Sequence, residues 1–549
     1  MRVALAQINP TVGDFAGNQR KILEFIEKAK LQNANLIVFP EMAICGYPVW
    51  DLANKESFVQ ACANSLKEIA GATKNDAIAI AVGLIDFGSK KKSRNRNALA
   101  LVHKGSIHFI QHKTLLPTYD VFLEQIFFEP ADQYFTFQLN GFTIGATICE
   151  DIWDDQYAAK PCRILKERGV DFLINISASP YHYHAPMLRD EVAKRRVDEH
   201  KFWLIYTNQV GGQDDLVFDG RSFIMAPNGR VVARATAFKE DLLVTDISNS
   251  EKTASVDLEI DPVRDMYDAL VLGVRDYVRK NGFKKVVLGL SGGIDSALVA
   301  TLAADALGPS AVVGVTMPSI YSSIGSYADS EMLAKNLGIE FRKQAISDLY
   351  QKFLEQVGRR KIERNESVKP ITLANENLQA RLRGLELMYI SNDENCLLLS
   401  TGNKSELAMG YCTLYGDMCG GLAVLGDVYK TDVYKLCNHR NTISEVIPRA
   451  IIDKAPSAEL RPNQKDQDSL PPYEELDAIL HRYIECNMSE SEISKALAAT
   501  GIKSDLVSDI IRRVEHNEYK RRQTPPLIRV TEKAWFGRRM PITNRFNKI

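Results

Sequence analysis

The sequence predicts an α/β fold in two domains, on three observations. Short apolar segments alternate with amphipathic helical segments through residues 1–247. A polar stretch without a clear period, residues 248–261, then interrupts the pattern. After it, a strand, a glycine-rich turn and a helix at 285–307 begin a second alternation. We therefore predict domains at 1–247 and 263–549, joined by a linker at 248–262, which suits a chain of 549 residues.

The first domain combines hairpins with strand–helix units. VALAQI, LIVFP, AIAIAVGLI, TIGATIC, FLINIS and FWLIYT have the length and β-branched content of strands, and NQRKILEFIEKAK has apolar residues at helical spacing. Turn pairs at Lys104-Gly105, Asn140-Gly141 and Asn228-Gly229 are typical of hairpins. This mixture predicts layered sheets flanked by helices.

The second domain reads as a parallel sheet with helices on both faces. DPVRDMYDALVLGVRDYVRKNG predicts a helix that ends at a glycine. VVLGL, AVVGVTMP and CLLLS are strands separated by helical segments, which is the arrangement of a parallel sheet. The C-terminal part reads as mostly helical, with a basic tail.

Composition excludes several classes of partner. A formal net charge of -1 gives no reason to expect a nucleic acid or an anionic membrane as partner. The start MRVALAQINP predicts a strand rather than a signal peptide, and no apolar run approaches the ~18 residues that a membrane span needs. The nine cysteines are scattered without a CxxC pair, which favours reduced thiols and a cytoplasmic location.

Three reactive residue types follow apolar strands in the first domain. Glu41 follows LIVFP, Lys113 follows IHFIQH, and Cys149 follows TIGATI. Strand ends place reactive groups on a rigid base at the edge of a sheet. The three sequence motifs FPE, HKTLLPTYDVFLE and ICED, in this order, resemble those of the carbon–nitrogen hydrolase (nitrilase) superfamily. The resemblance implies a four-layer α-β-β-α sandwich.

The same resemblance implies an amidase that forms a thioester. Glu41 would be the general base for Cys149, Lys113 would stabilise the tetrahedral oxyanion, and Glu124 would orient Lys113. In the amidotransferase branch of the superfamily the amide is that of L-glutamine. Residues that match glutamine contacts are Tyr119, Ser177 and Tyr183, and Tyr47 and Trp153 would shape the pocket.

The loop SGGIDS in the second domain departs from the common phosphate loop, because it lacks the lysine of G-x-x-x-x-G-K-[ST]. It resembles the loop of ATP pyrophosphatases, which split ATP between the α and β phosphates. Its two glycines would let backbone N–H groups approach pyrophosphate, and Ser291 and Ser296 would add hydroxyl donors. Asp295 suits such a loop only beside Mg²⁺, which bridges carboxylate and phosphate oxygens.

Further sequence motifs of the second domain resemble those of the NAD⁺ synthetase family. They are NENLQARLRG, LSTGNKSELAMGY, TLYGD, GDVYKTDVYKL, PSAEL and LPPY. The family implies a Rossmann-like fold of the adenine nucleotide alpha hydrolase type. The resemblance assigns ATP contacts to the matching positions Ser291, Gly292, Gly293, Ile294, Asp295, Ser296, Ala297, Leu298, Thr401, Arg383 and Lys430. It assigns deamido-NAD⁺ contacts to Asn377, Glu406 and Lys520. Asp295 and Glu406 would be the neighbours of Mg²⁺.

Together the two resemblances imply glutamine-dependent synthesis of NAD⁺. ATP would adenylate the nicotinate carboxylate of deamido-NAD⁺, and ammonia from glutamine would displace AMP. Ammonia crossing through protein, and a homodimer or larger homo-oligomer, are expected on resemblance. Three alternatives stay open: an adenylating amide synthetase acting on another carboxylate, a nucleotide sensor, and an amide hydrolase with a regulatory ATP domain.

Overall fold

The computed structural model describes residues 1–88, 94–247, 255–363, 372–462 and 464–545. Its contacts divide the chain into two compact units, Met1–Ile260 and Asp261–Ile549. Of the predicted linker, residues 248–254 lie outside the described residues, and 255–261 have no regular secondary structure. The following helix begins at Pro262, so the last residue of the predicted linker is helical. The N–H of Val256 donates to Val231 O at 2.9 Å, which ties this part of the linker to the first unit.

The first unit contains strands and helices in alternation. Its described strands are β1 (Arg2–Gln7), β2 (Leu36–Val38), β3 (Ala79–Asp86), β4 (Arg96–His103), β5 (Ser106–His112), β6 (Thr136–Leu139), β7 (Phe142–Ile148), β8 (Phe172–Ser177), β9 (Trp203–Asn208), β10 (Val210–Gln213), β11 (Leu216–Asp219), β12 (Phe223–Met225), β13 (Val231–Arg234) and β14 (Asp241–Asp246). Its described helices are α1 (Phe15–Leu31), α2 (Glu56–Ala72), α3 (Glu124–Phe127), α4 (Pro161–Glu167) and α5 (Ala185–His200).

Two six-stranded sheets form the centre of this unit. Their strand orders are β14-β1-β2-β3-β4-β5 and β13-β12-β9-β8-β7-β6. The turn pairs at Lys104, Asn140 and Asn228 each join antiparallel neighbours, as predicted. Strands β10 and β11 form a separate two-stranded sheet.

Strand alternation explains why the sheets are stacked. In β1, Val3 and Leu5 belong to the apolar core shared with β7 and β8, whereas Ala4 and Ala6 pack in the core formed with α1 and α2. On the far side of the second sheet, α4 and α5 pack against Leu173 of β8. Both faces of each sheet are therefore covered, and the predicted α-β-β-α sandwich is confirmed.

The second unit begins with a well-capped helix. Its described helices are α6 (Pro262–Lys280), α7 (Ile294–Leu307), α8 (Ile324–Leu337), α9 (Ser347–Glu363), α10 (Leu373–Asp393), α11 (Lys404–Met409), α12 (Lys430–Ile443), α13 (Arg449–Asp453), α14 (Tyr473–Ile484), α15 (Glu490–Leu497), α16 (Ser504–His516) and α17 (Glu518–Arg521). The Asp261 side chain accepts hydrogen bonds from Val263 N and Arg264 N, and Pro262 stands at the first helical position, which together fix where α6 starts.

A five-stranded parallel sheet lies in this unit, in the order β17-β16-β15-β18-β19. Its strands are β15 (Val286–Gly289), β16 (Val312–Thr316), β17 (Glu340–Lys343), β18 (Leu397–Ser400) and β19 (Leu422–Ala423). Leu387 and Ile390 of α10 pack on Val287 and Leu398 of the sheet. The predicted parallel sheet is confirmed, and the carboxyl ends of β15 and β18 point their following loops to one edge. Across the described residues, no helix is long and apolar enough to cross a membrane.

Candidate active site

Cys149 is the first residue after β7 and has a left-handed backbone. Its φ is +44°, a conformation that costs a residue with a Cβ about 1–2 kcal/mol. The chain then enters a short 3₁₀ turn, Cys149–Ile152, and the cysteine is only 6% exposed. A sharp turn at the end of a strand presents a side chain at the sheet edge, as a nucleophile requires.

Asp151 holds this turn against the strand end that carries Lys113. Its Oδ2 accepts from Ile148 N at 3.0 Å, and its Oδ1 accepts from Thr114 N at 2.9 Å and from Leu115 N at 2.8 Å. Burial raises the pKa of Asp151 to about 7, although these N–H donors lower it. One carboxylate thus fixes the backbone on both sides of the site, a role that the sequence reasoning missed.

Glu41, Lys113 and Glu124 form a buried ionic cluster. Lys113 Nζ lies 2.9 Å from Glu41 Oε1 and 2.8 Å from Glu124 Oε1, and all three side chains are at most 4% exposed. Tyr47 OH donates to Glu124 Oε1 at 3.1 Å. Glu41 is held further by Asn97 Nδ2 at 2.6 Å on Oε1 and by the Ala178 N–H at 2.8 Å on Oε2. The three predicted groups therefore share one rigid site with a single cation between two carboxyl groups.

Burial, more than the neighbouring charges, favours the protonated form of the Cys149 thiol and raises its pKa. Burial raises the pKa of the Cys149 thiol well above its usual value, Glu41 raises it further, and Lys113 opposes them. Burial alone would lower the pKa of Lys113, but Glu124 and Glu41 raise it well above its ordinary value. Burial raises the pKa of Glu124 to about 7, against the lowering effect of Lys113. Lys113 is thus a permanent cation, and the thiol needs a neighbouring base to react.

The turn that carries Glu41 rests on Gly83 of β3. A Cβ built on Gly83 would lie 2.3 Å from both Met42 N and Pro40 O, and 2.7 Å from the carbonyl carbon of Glu41. Ile44 N donates to Gly83 O at 3.1 Å in the same contact. Because all three clashing atoms are backbone, a larger residue at position 83 would displace the turn.

The predicted glutamine contacts occupy different surroundings. In the β7–β8 pairing Ile148 is opposite Ile176, so Ser177 follows beside Cys149, where its hydroxyl donates to Asn175 at 2.8 Å. The ring of Tyr183 lies 4.1 Å from that of His184. Trp153 packs at the edge of the core formed by α4 and α5.

Tyr119 leads to a second residue that the sequence reasoning missed, Glu150. The Tyr119 hydroxyl lies 3.0 Å and the Tyr157 hydroxyl 2.9 Å from the Glu150 carboxylate, which is 5% exposed. Burial raises the pKa of Glu150, although Lys113 lowers it. Among the residues that the structure describes, no lysine or arginine forms an ion pair with Glu150. A buried carboxylate with hydroxyl donors alone is suited to a cationic group of a ligand.

Lys113→Met should destabilise the first unit by about 3–5 kcal/mol, because it leaves two carboxyl groups buried without their cation. Urea unfolding followed by fluorescence would measure the change. Adding Glu124→Gln to this variant should recover part of the loss, since one buried charge then disappears. A double variant that is less stable than the single one would contradict the assigned charge balance.

In the second unit, the turn after β15 matches the predicted glycine-rich loop. Gly292 has φ +75°, and a Cβ there would lie 2.5 Å from Ser326 O. The Ser291 and Ser296 hydroxyls are 3.1 Å apart, and Gly293 N donates to Ser291 Oγ at 3.2 Å. The loop then enters α7, whose N-terminus favours an anionic group.

Asp295 and Glu406 converge on the ammonium group of Lys430. Lys430 Nζ pairs with Asp295 Oδ2 and lies 3.6 Å from Glu406 Oε1. Asn403 donates to Asp295 Oδ1 at 2.9 Å and accepts from Glu406 N at 2.9 Å, so it holds the two acids in register. Burial raises the pKa of Glu406 to about 8, with Asp295 adding to the effect and Lys430 opposing it.

These oxygen ligands fit Mg²⁺. Asp295 and Glu406 both lie within ion-pair distance of the Lys430 ammonium group. Nucleotide-bound Mg²⁺ takes one or two carboxylates together with phosphate oxygens. Among the described residues, no group of three or more His, Cys, Asp and Glu side chains is arranged to hold a metal ion. Phosphate oxygens of a nucleotide would add ligands to the two carboxylates.

A cavity of about 420 Å³ lies in front of this loop. Of the predicted nucleotide contacts, those that line it are Ser291, Gly293, Ile294, Asp295, Ser296, Asn377, Arg383, Thr401, Glu406, Lys430 and Lys520. The structure does not bring Gly292, Ala297 and Leu298 to the cavity. Gly292 packs on Ser326, and Ala297 and Leu298 are buried in the core, at most 1% exposed.

Two further cationic residues of the lining, Arg383 and Lys520, donate to backbone carbonyls. Arg383 Nε donates to Met317 O at 3.1 Å, and burial lowers the pKa of Arg383 to about 10. Lys520 Nζ donates to Gly410 O at 2.6 Å and to Cys412 O at 2.9 Å, at the end of α11. Asn377 accepts from Thr413 Oγ1 at 2.9 Å. Arg383 and Lys520 are therefore positioned to neutralise a bound anion.

Comparisons with known proteins identify a family for each of the two units. Residues 2–254 match the carbon–nitrogen hydrolase family and residues 266–524 match the NAD synthase family. The glutamine-dependent NAD(+) synthetase of Aquifex aeolicus is 42% identical, covering 100% of both chains, and that of Synechocystis sp. is 43% identical, covering 99% of each.

Solved structures lead to the same family. The glutamine-dependent NAD⁺ synthetase of Acinetobacter baumannii, in complex with ADP, has a TM-score of 0.77 at 37% identity over 99% of this chain and 98% of that one. The enzyme of Cytophaga hutchinsonii, at 22% identity, has the same fold with a TM-score of 0.84 over 99% and 98%. Because full-length relatives share about 40% of its residues and both of its units match the corresponding family models, the chain belongs to the glutamine-dependent NAD⁺ synthetase family.

Proposed function

We propose that the chain makes NAD⁺ from deamido-NAD⁺, ATP and glutamine, with one half-reaction in each unit. The observation that carries the proposal is the presence, in one chain, of Cys149 beside the Glu41–Lys113–Glu124 cluster and of Asp295 and Glu406 beside a phosphate-type loop. The first site releases ammonia and the second consumes it. Residues 1–247 and 263–549 are the proposed domains, with the linker between them.

In the first unit, Cys149 is the nucleophile and Glu41 the general base. Glu41 takes the thiol proton, and the thiolate attacks the carboxamide carbon of glutamine to form a tetrahedral intermediate. Lys113 donates to its oxyanion, a contribution of about 2.7–4 kcal/mol for one such donor. The proton then passes to the leaving nitrogen, ammonia departs, and water cleaves the thioester to glutamate. Glu124 keeps the Lys113 ammonium oriented.

We assign Glu150 to the α-ammonium group of glutamine. It follows the nucleophile directly, it is buried, and its partners are the hydroxyls of Tyr119 and Tyr157. A ligand ammonium would supply the cation that this carboxylate lacks. Tyr119, Ser177 and Tyr183 complete the proposed glutamine site.

Glu150→Gln should raise the KM for glutamine about 10–100-fold, the loss expected for one charged hydrogen bond of about 1.5–3 kcal/mol. Hydrolysis of glutaramate, the same amide without the α-amino group, should change little. Comparing the two substrates by ammonia release tests the assignment. Glu167→Gln, at a carboxylate that is 67% exposed on α4, is the control. Equal loss with both substrates would contradict the α-ammonium role.

In the second unit, the nicotinate carboxylate attacks the α-phosphorus of ATP, and pyrophosphate leaves. Ser291, Gly293 and Ser296 offer donors to the phosphates, and Arg383 and Lys430 supply positive charge. Mg²⁺ held by Asp295 and Glu406 would neutralise charge on the phosphate oxygens. Ammonia then attacks the adenylated carboxyl carbon, AMP leaves, and the nicotinamide amide remains. Asn377, Thr401 and Lys520 complete the proposed nucleotide contacts.

The proposal has four further parts. The enzyme uses Mg²⁺, forms a homodimer or larger homo-oligomer, works in the cytoplasm, and passes ammonia from one site to the other through protein. Transfer through protein is supported by chemistry, because free ammonia at neutral pH is mostly protonated and an adenylate exposed to water hydrolyses. A scavenger of free ammonia should then leave glutamine-dependent synthesis largely intact.

The deciding experiment supplies Mg-ATP, deamido-NAD⁺ and amide-¹⁵N glutamine, with products identified by mass spectrometry. Labelled NAD⁺ with AMP and pyrophosphate is the expected result. Ammonia without ATP consumption would identify an amide hydrolase, and nucleotide binding without turnover a sensor. Activity that requires a different carboxylate would identify another adenylating amide synthetase.

A further inference from the structure

Residues 526–535, here called the C-terminal segment, follow the part of the chain that matches the NAD synthase family, which ends at residue 524. The segment begins beside the edge strand β19, where Ala423 pairs with Leu527 in a parallel bridge. At its other end, Trp535 packs in the apolar core formed with α14 and α16. The segment is therefore attached to the second unit at both ends.

Asp427 fastens the middle of the C-terminal segment. Its Oδ2 accepts from the backbone N–H groups of Val530 at 2.9 Å and Thr531 at 2.8 Å, and its Oδ1 accepts from the Thr531 hydroxyl at 2.9 Å. Asp427 is 0% exposed and Thr531 is 1% exposed. A buried carboxylate with its oxygens engaged in this way fixes the backbone that donates to it.

Lys404 joins the same cluster from the first turn of α11. Its Nζ lies 2.9 Å from Asp427 Oδ1 and 3.0 Å from Glu485 Oε1, and all three side chains are fully buried. It also donates to Thr531 Oγ1 at 2.7 Å and to Lys533 O at 2.9 Å. A buried ammonium group needs opposite charges and hydrogen-bond acceptors around it, and the C-terminal segment supplies two of these four partners.

The backbone of Lys404 joins two loops at the nucleotide cavity. Lys404 N donates to Val428 O at 2.9 Å, which ties the start of α11 to the loop before α12. The preceding residue is Asn403, which bonds both Asp295 and Glu406. Lys404 is fully buried behind the cavity-lining Glu406, so its effect on the reaction passes through the residues that it positions.

Ser405 extends this arrangement to Lys430. The Ser405 hydroxyl accepts from Lys430 N at 2.9 Å and donates to Asp477 of α14. The same Asp477 carboxylate accepts from Thr431 N at 2.9 Å. Helices α11 and α12 therefore begin from one hydrogen-bonded base, and a shift of Lys404 would move the acids and the ammonium group that meet in the cavity.

Given the proposed function of the second unit, we propose that the C-terminal segment is a positioning element of the nucleotide site and that Lys404 is the positioning residue through which it acts. Thr531 and the carbonyl of Lys533 hold Lys404, and Lys404 holds Asn403, which spaces the two acids of the cavity. Loss of these contacts should slow the reaction more than it weakens substrate binding, because small displacements of reacting groups lower the rate steeply.

Two substitutions at Thr531 separate the role of its hydroxyl from that of its packing. Thr531→Val keeps the shape and removes the hydroxyl, so it should lower kcat for ammonium-dependent NAD⁺ synthesis about tenfold and leave the KM for deamido-NAD⁺ within about twofold. Thr531→Ser keeps the hydroxyl, so its kcat should stay within about twofold of the wild type. Lys404→Met would leave two carboxylates buried without their cation and endanger the fold, so the milder Thr531 variants decide.

Thr301→Val is the matched control and should keep the wild-type kcat. Thr301 is a fully buried residue of the same unit, and its hydroxyl donates to Ala297 O at 2.7 Å within its own helix.

Hydrogen exchange of the full, ligand-free chain, followed by mass spectrometry, is the second measurement. Thr531→Val should increase exchange about tenfold in peptides that cover residues 403–406. Thr531→Ser and Thr301→Val should leave these peptides unchanged, and all three variants should leave the peptides of the first unit unchanged.

A wild-type kcat in Thr531→Val would overturn the proposal, and so would a loss confined to KM. Equal losses in Thr531→Val and Thr531→Ser would also overturn it, since packing rather than the hydroxyl would then be responsible. Unchanged exchange over residues 403–406 in Thr531→Val would show that Lys404 does not transmit the effect. If the wild type makes no NAD⁺ from ammonium salts, the proposed function fails, and the exchange of the ligand-free chain still tests the positioning role.

Discussion

Cys149→Ala should abolish NAD⁺ synthesis from glutamine and leave synthesis from ammonium salts intact. The expected loss of glutamine hydrolysis is about 10⁶-fold, the scale seen when a catalytic nucleophile is removed. In the proposed division of labour the ammonium-dependent reaction uses the second unit, where the residues that line the nucleotide cavity lie. Alanine keeps a Cβ at the left-handed position, so the turn should retain its geometry. Product formation measured separately with each nitrogen source checks the result.

Cys62→Ala is the control for this variant. Cys62 is a fully buried thiol on α2 of the same unit, and its removal should leave both nitrogen sources usable. Loss of both activities in Cys149→Ala would contradict the division of labour between the units. Retention of glutamine use would mean that another group is the nucleophile.

Asp295→Asn should block synthesis with either nitrogen source, by at least about a thousandfold. The substitution removes one of the two carboxylates that share the Lys430 ammonium and would hold Mg²⁺, and electrostatic contributions of this kind are worth about 10²–10³ in rate for a single donor, with the metal adding more. Glutamine hydrolysis should persist. Pyrophosphate release with ammonium as the nitrogen source is the direct measurement.

Asp305→Asn provides a matched carboxylate on the same helix, α7. Asp305 accepts from Tyr267 OH at 2.6 Å and from Arg440 Nε at 2.7 Å, and it does not line the cavity. We expect this control to lose some stability and keep both activities. Synthesis that survives in Asp295→Asn at the wild-type rate would remove Asp295 from the proposed nucleotide site.

The strands and the reactive residues at their ends could be predicted because both are visible in short stretches of the sequence. Apolar runs identify the strands, and Glu41, Lys113 and Cys149 each follow one directly. β2 and β5 end at the site from one sheet and β7 from the other, so residues far apart in sequence come together there. Lys113 pairs with Glu41, and the charges of both act on Cys149.

The residues that were missed have partners that the local sequence does not reveal. Asp151 and Glu150 stand in the motif ICED beside Cys149, yet they bind Thr114 and Tyr119, which lie more than 30 residues earlier. Long-range hydrogen bonds of this kind depend on how elements pack, which a single sequence does not encode in any short pattern.

Gly292 shows a different limit of sequence reasoning. The glycine was expected to bring backbone N–H groups close to pyrophosphate. The structure gives it a packing role as well, because α8 passes where its Cβ would be.

Gly83 has a practical consequence for directed evolution of the amidase unit. Libraries that seek activity on other amides would vary Tyr119, Glu150 and Tyr183 and would keep the proposed catalytic residues Glu41, Lys113, Glu124 and Cys149. Position 83 belongs to neither group, yet only a residue without a Cβ leaves room there for the turn that carries Glu41. A library that randomises β3 would therefore lose most of its active members through this one codon, although every proposed catalytic residue had been kept.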